Sequence, residues 1–107
     1  MAYSSNAAEV LDALGDPTRR AVLELLRDGP RAVVDIASEL PVSRPAVSQH
    51  LRLLKGAGLV TDRQDGTRHI YRVDPEGLAA IRTYLETLWT DALAAFKEAA
   101  EREGGTS

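Results

Sequence analysis

The 107 residues include no cysteine, which excludes disulfides, thiolate metal sites and thiol redox sensing. Only two histidines, His50 and His69, could join carboxylates around a metal, so neither a metal nor any other cofactor is expected. Aromatic residues make up just 5%, and no apolar run approaches the roughly 20 residues of a membrane span. Met1 to Asn6 are uncharged, unlike the basic start of a secretory signal, so a cytoplasmic protein without membrane contact is expected. There is no Gly-rich phosphate loop, no Ser/His/Asp set on plausible elements and no carboxylate pair around an identifiable cleft. An enzyme is therefore not expected.

What remains is one domain's worth of chain with an ordinary share of apolar residues, 44%. The net charge of −3 argues at first sight against a nucleic-acid partner, but the charge is unevenly spread. Between Val42 and Arg72 stand six Lys/Arg and two His against Asp62 and Asp65 alone, whereas the flanks are acidic.

Local signals predict the element order H-H-H-H-β-β-H. Ala7, Val10, Leu11 and Leu14 hold the spacing of a first helix, which Gly15 stops. Asp16-Pro17 opens a second, with Asp16 as N-cap and Pro17 at the first helical position, where a missing N–H costs nothing. A short third helix fits Val33 to Leu40. Ser43 caps a fourth, residues 43–57, with Val47, Leu51 and Leu54 inward. Two strand-like runs, Leu59 to Gln64 and Thr67 to Val73, flank Asp65-Gly66, a strong hairpin signal. Asp74-Pro75 then opens a long last helix bearing Leu78, Ile81, Leu85, Leu88, Trp89, Ala92, Leu93 and Phe96. Residues 1–101 form the expected domain, and 102–107 a flexible tail.

Two helices joined by a tight turn and followed by a hairpin are the layout of a winged helix-turn-helix: mainly α, with a small β-hairpin over 59–73. The second helix of such a unit enters the DNA major groove. Arg44, Pro45, Ser48, Gln49, Arg52 and Lys55 lie off its apolar stripe. Arg can grip guanine and Gln adenine bidentately, Ser contacts bases or phosphate, and Pro45 offers an apolar surface to a thymine methyl. An Asp65-Gly66 turn sets Arg63 opposite Arg68, a repulsive pair that suggests an anion to hold, and Asp62 opposite His69. His50, beside the stripe, reads as a helix-packing hydrogen bonder rather than a base contact or ligand. The apolar stripes of the first and last helices exceed what a small domain can cover. Val10, Leu11, Leu14, Leu85, Leu88, Trp89, Ala92 and Phe96 are therefore expected at a homodimer interface that spaces two recognition helices one DNA turn apart. A small-molecule pocket near Trp89 and Tyr84 is compatible with that arrangement. The competing reading is a protein-interaction adaptor without DNA binding, which would favour an acidic or apolar face where this chain has Arg, Ser, Gln and Arg.

Val42-Ser43-Arg44-Pro45-Ala46-Val47-Ser48-Gln49-His50-Leu51, continuing through Leu54-Lys55-Gly56-Ala57-Gly58-Leu59-Val60, resembles the recognition motif of the ArsR family of bacterial repressors. Leu14-Gly15-Asp16-Pro17-Thr18-Arg19 is similar to that family's entry into its second helix, and Asp65-Gly66-Thr67-Arg68 with Tyr71 to its wing. The resemblance runs over about residues 6 to 98. It implies a homodimeric repressor, paired through first and last helices, on an imperfect palindrome in double-stranded DNA upstream of its own operon. Ser43, Arg44, Pro45, Ser48, Gln49 and Arg52 would face DNA, with Arg68 and its neighbours on the wing, among them Arg63 and His69. Where metal-sensing members carry Cys-Val-Cys this chain has Ala32-Val33-Val34, and its last helix has no histidine. The resemblance is thus to the non-metal branch, with a small-molecule or protein effector left unidentified.

Overall fold

A computed structural model describes residues 4–105 of the chain. It contains α1 (Ser4–Leu14), α2 (Pro17–Leu25), β1 (Arg31–Ala32), α3 (Val33–Ser38), α4 (Arg44–Gly56), β2 (Val60–Asp65), β3 (Arg68–Val73) and α5 (Pro75–Gly105). This is a winged helix: mainly helical, with a three-stranded antiparallel sheet in the order β1-β3-β2.

The starts of α2, α4 and α5 each follow from a local side-chain cap. The Asp16 carboxylate accepts from the backbone N–H groups of Thr18 and Arg19 at 2.8 and 3.0 Å, which holds its carboxyl below the usual range. Ser43 Oγ accepts from Ala46 N at 3.3 Å, and Asp74 Oδ1 from Glu76 N at 3.0 Å. At the far end of α4, Gly58 N donates to the Lys55 carbonyl and Leu59 N to that of Leu54, both at 3.0 Å. That paired arrangement closes the helix and turns the chain into β2, with Leu54 and Leu59 both fully buried beside the turn.

The core is built from Val10, Val22, Leu26, Ile36, Val47, Leu51, Leu54, Leu59, Val60 and Tyr71, so α1, α2, α3, α4 and the sheet enclose it together. Burial also pushes the Tyr71 phenol up. Among the described residues no helix is long and apolar enough to cross a membrane.

Three features differ from the sequence reading. First, Arg31-Ala32 forms a strand that pairs with Tyr71 and Ile70. A two-residue strand carries no alternation to read, and it exists because β3 offers its free edge. Second, the hairpin turns at Gly66-Thr67, so Arg63 faces Ile70, Gln64 faces His69, and Asp65 faces Arg68. Centring the turn on Asp65-Gly66 would need positive φ at Asp65, but Gly66 (φ 63°) alone takes it in this turn, as the first central residue of a type II′ turn. The opposed arginines of the expected register do not occur. Third, α5 continues past Arg102 to Gly105, with Arg102 paired to Glu98 one turn back, so the expected tail is helical over most of its length. Residues 106–107 of that tail lie outside the described residues.

Candidate nucleic-acid interface

On α4 the inward residues Val47, Leu51 and Leu54 are completely buried. With 3.6 residues per turn, Arg44, Ser48 and Arg52 follow one another along one flank, with Lys55 a further turn on, while Pro45 and Gln49 lie next to them. Pro45 sits in the first turn, where it removes no intrahelical bond. Of this set only Ser48 is half-buried, and the rest are exposed. Ser43, expected on the DNA face, works here as the N-cap with its side chain at the head of the same flank.

Several of these side chains are already engaged. Arg52 Nη2 donates to Gln49 Oε1 at 2.7 Å, which leaves the Gln49 amide N–H groups out of that contact. Lys55 Nζ lies 2.8 Å from Asp62 Oδ1, and His69 Nε2 lies 2.5 Å from Oδ2 of the same carboxylate. The His69 ring also rests 4.7 Å from that of Tyr71. The Asp62 side chain is 16% exposed and ties the last turn of α4 to both wing strands. Donation first by Lys55 and then by His69 holds its carboxyl below the usual range, and the same contact raises the Lys55 ammonium. The expected Asp62–His69 contact is therefore present, although the two residues meet diagonally rather than face to face. Lys55 and His69 fix the wing to the helix.

Arg63, Arg68 and Arg72 share the sheet face opposite to that of Val60 and Tyr71, as the pairings Arg63–Ile70, Asp65–Arg68 and Thr61–Arg72 require. Arg68 reaches across to α3, where its Nη2 lies 2.5 Å from Asp35 Oδ2. Arg44 and Arg63 make no ion pair or side-chain hydrogen bond among the described residues. Asp35 and Arg72 escaped the sequence reading. The period-2 pattern could have found Arg72, but nothing local marks Asp35, which lies 33 residues from its partner. His50 departs from expectation: its Nδ1 is buried with no hydrogen-bond partner. Its position beside the stripe buries the nitrogen without bringing an acceptor to it.

The second exposed surface lies along α1 and α5. Leu11, Leu85, Leu88, Trp89, Leu93 and Phe96 are all open, Trp89 at 66% and Phe96 at 73%. Ala92 is exposed among them, and Leu14 is partly buried against the core. Val10 corrects the expected set. At 2% exposure it belongs to the protomer's own core, because it faces into the domain where Leu11 faces out. A groove of about 440 Å³ runs between α1 and α5, lined by Leu11, Ile81, Tyr84 and Leu88 among others. Trp89 lines a neighbouring groove with Leu14, Leu78 and Leu85, so Tyr84 and Trp89 do not share one pocket. Among the described residues no three His, Asp or Glu side chains cluster as a metal site would need.

The profile of the bacterial regulatory protein, arsR family, matches residues 16–62, from the α2 cap to the shared Asp62. The chain is 56% identical over 92 residues to the HTH-type transcriptional regulator Rv2034 of Mycobacterium tuberculosis, covering 86% of each. It is 43% identical over 75 residues to the HTH-type transcriptional repressor SmtB of the same species, covering 70% of this chain and 56% of that one. Among solved structures, an ArsR-like transcriptional regulator from Rhodococcus sp. RHA1 superposes with a TM-score of 0.79 at 33% identity, over 94% of this chain and 97% of that one. The homodimeric winged helix-turn-helix DNA-binding domain from Mycobacterium bovis gives 0.66 at 34% identity, over 82% of each. With its fold, its recognition-helix sequence and these relatives in agreement, the chain belongs to the ArsR family of bacterial regulatory proteins.

Proposed function

We propose that the protein is a cytoplasmic, homodimeric repressor that reads an imperfect palindrome in double-stranded DNA upstream of its own operon. The observation that carries this reading is the outer face of α4, where Arg44, Pro45, Gln49 and Arg52 stand exposed on a helix whose inner face is completely buried. Arg44, Pro45, Ser48, Gln49 and Arg52 contact base edges, and Ser43 holds the helix start that presents them. The wing supplies phosphate contacts from Arg63 and Arg68, which position the protein without reading sequence. Lys55 and His69 act chiefly through Asp62, holding the wing at its angle to α4. Leu11, Leu14, Leu85, Leu88, Trp89, Ala92 and Phe96 meet the same residues of a second copy around a two-fold axis. This covers a stripe that the protomer leaves open and sets the two recognition helices about one turn, ~34 Å, apart. An effector, small molecule or protein, acts without thiolate-bound metal, since the chain has no cysteine.

The test is a fluorescence-anisotropy titration of the protein against duplex from immediately upstream of its own gene, at three salt concentrations with a scrambled competitor. The reading predicts nanomolar, sequence-preferring binding and a log–log salt slope of about −7 if some eight phosphates are neutralised. Equal, weak binding to both duplexes, followed by failure to select any genomic fragment, would contradict it and favour the adaptor reading.

A further inference from the structure

We propose that Asp35 restrains the wing: by holding Arg68 it lowers affinity for DNA of every sequence, so that an operator is occupied only where base contacts are strong. This rests on the reading of the chain as a DNA-binding protein. Arg68 Nη2 lies 2.5 Å from Asp35 Oδ2, a contact between the wing and α3, the helix that precedes the recognition helix. The side chains are 54% and 53% exposed, so the pair stands in water rather than in the core. Exposed ion pairs hold weakly, and a DNA phosphate can take the guanidinium from the carboxylate. Once it does, Asp35 is left as an unpaired negative charge beside the polyanion. Asp65, directly across the hairpin from Arg68, adds a second one. The penalty is the same for any base sequence, because neither group touches a base.

Counterions make this measurable. A free arginine that docks on a phosphate displaces a condensed cation, whereas an arginine that leaves a carboxylate also obliges that carboxylate to gather one. Arg68 therefore contributes almost nothing to the salt slope while Asp35 is present. It contributes about one ion per subunit in the Asp35→Asn variant.

The experiment measures binding to a mixed-sequence 30-bp duplex over a salt series for the wild type, Asp35→Asn, Arg68→Ala and the double variant. Circular dichroism first establishes that all four share one helix content. Asp35→Asn is expected to tighten binding at low salt by about threefold per subunit, hence about tenfold per dimer, and to steepen the slope by about one per subunit. Arg68→Ala alone should leave the slope nearly unchanged, and in its background the substitution at Asp35 should lose most of its effect. Weaker binding by Asp35→Asn would mean that the carboxylate aims Arg68 at DNA, which overturns the proposal. So would an unchanged affinity and slope, as expected if Asp35 serves only the α3 helix dipole. A gain that persists undiminished without Arg68 would reduce the effect to general charge and also overturn it. A wild-type protein that binds neither this duplex nor the upstream one removes the DNA-binding reading itself, and this inference with it.

Discussion

Gly77, in the first turn of α5, offers a prediction in which two physical effects compete and the structure decides the sign. Replacing glycine by alanine inside a helix ordinarily stabilises by up to about 1 kcal/mol, through backbone entropy. At Gly77 an added Cβ would stand 1.8 Å from the Gly58 carbonyl oxygen and 2.7 Å from its carbon. Both obstacles are backbone, locked in the turn that ends α4, so α5 would have to withdraw by more than an ångström. That withdrawal strains the 2.9 Å bond from Asp74 N to the Leu59 carbonyl and lifts Ile81 from the core. Overpacking at about 1–3 kcal/mol plus a weakened hydrogen bond at about 1, less the propensity gain of about 1, leaves Gly77→Ala destabilised by about 1–3 kcal/mol. In a domain of this size that is a fall in Tm of about 5–20 °C. Gly56→Ala is the matched control, since a Cβ there meets nothing within 4 Å, and it should melt slightly above the wild type. Circular-dichroism melts at one fixed protomer concentration are required, because the proposed dimerisation would make Tm concentration-dependent. If Gly77→Ala melts at or above the wild type, the close approach of α5 to the α4–β2 turn is refuted. That contact is what sets α5 relative to α4.

Further predictions concern the interface. Arg44→Ala should relax base preference at one position per half-site by about 1–3 kcal/mol, seen as a flattened base profile in a substituted-operator series. Arg63→Ala should instead weaken all duplexes alike and flatten the salt slope by about one per subunit. The Asp62 carboxyl is held low by Lys55 and His69, so the folded state is favoured above the ordinary carboxylate value of about 3.9 and loses that advantage as pH falls through its lower folded value. Asp62→Asn should therefore be less stable at neutral pH and show a shallower loss of stability in acid. Denaturant curves that run parallel to the wild type across that range would contradict the shared carboxylate. Trp89→Glu removes an exposed aromatic worth about 1.5–3 kcal/mol on burial from each subunit, and should raise the dimer Kd by about a hundredfold or more in analytical ultracentrifugation.

What could be read from the sequence was what chemistry encodes locally. Asp16-Pro17, Ser43 and Asp74-Pro75 cap their helices because each cap is settled within three residues. The Val47–Leu51–Leu54 stripe likewise appears as the buried side of α4. The hairpin was legible but its register was not. Both candidate frames place Gly66 in the turn, and only the requirement for positive φ at the neighbouring residue separates them. Val10 and Leu11 share one helical stripe, and periodicity cannot tell which of two adjacent apolar residues the domain itself covers. A flexible tail was expected over 102–107, yet helix continuing from α5 with a Glu98–Arg102 pair carries it to Gly105. Arg68–Asp35 and Lys55–Asp62 depend on how the wing packs against α3 and α4, and no local pattern records that angle. The contact of Gly77 with Gly58 is of the same kind.

The measurement that bears most directly on the proposed function is a hydroxyl-radical footprint of the protein on DNA upstream of its gene, with the Arg44→Ala protein alongside. A homodimeric reader gives two protected windows centred one helical turn, about 10–10.5 bp, apart, related by the two-fold of the operator and lost in the Arg44→Ala protein at equal concentration. A single protected window, windows at a spacing that two α4 helices cannot span, or protection unaffected by the loss of Arg44 would contradict it.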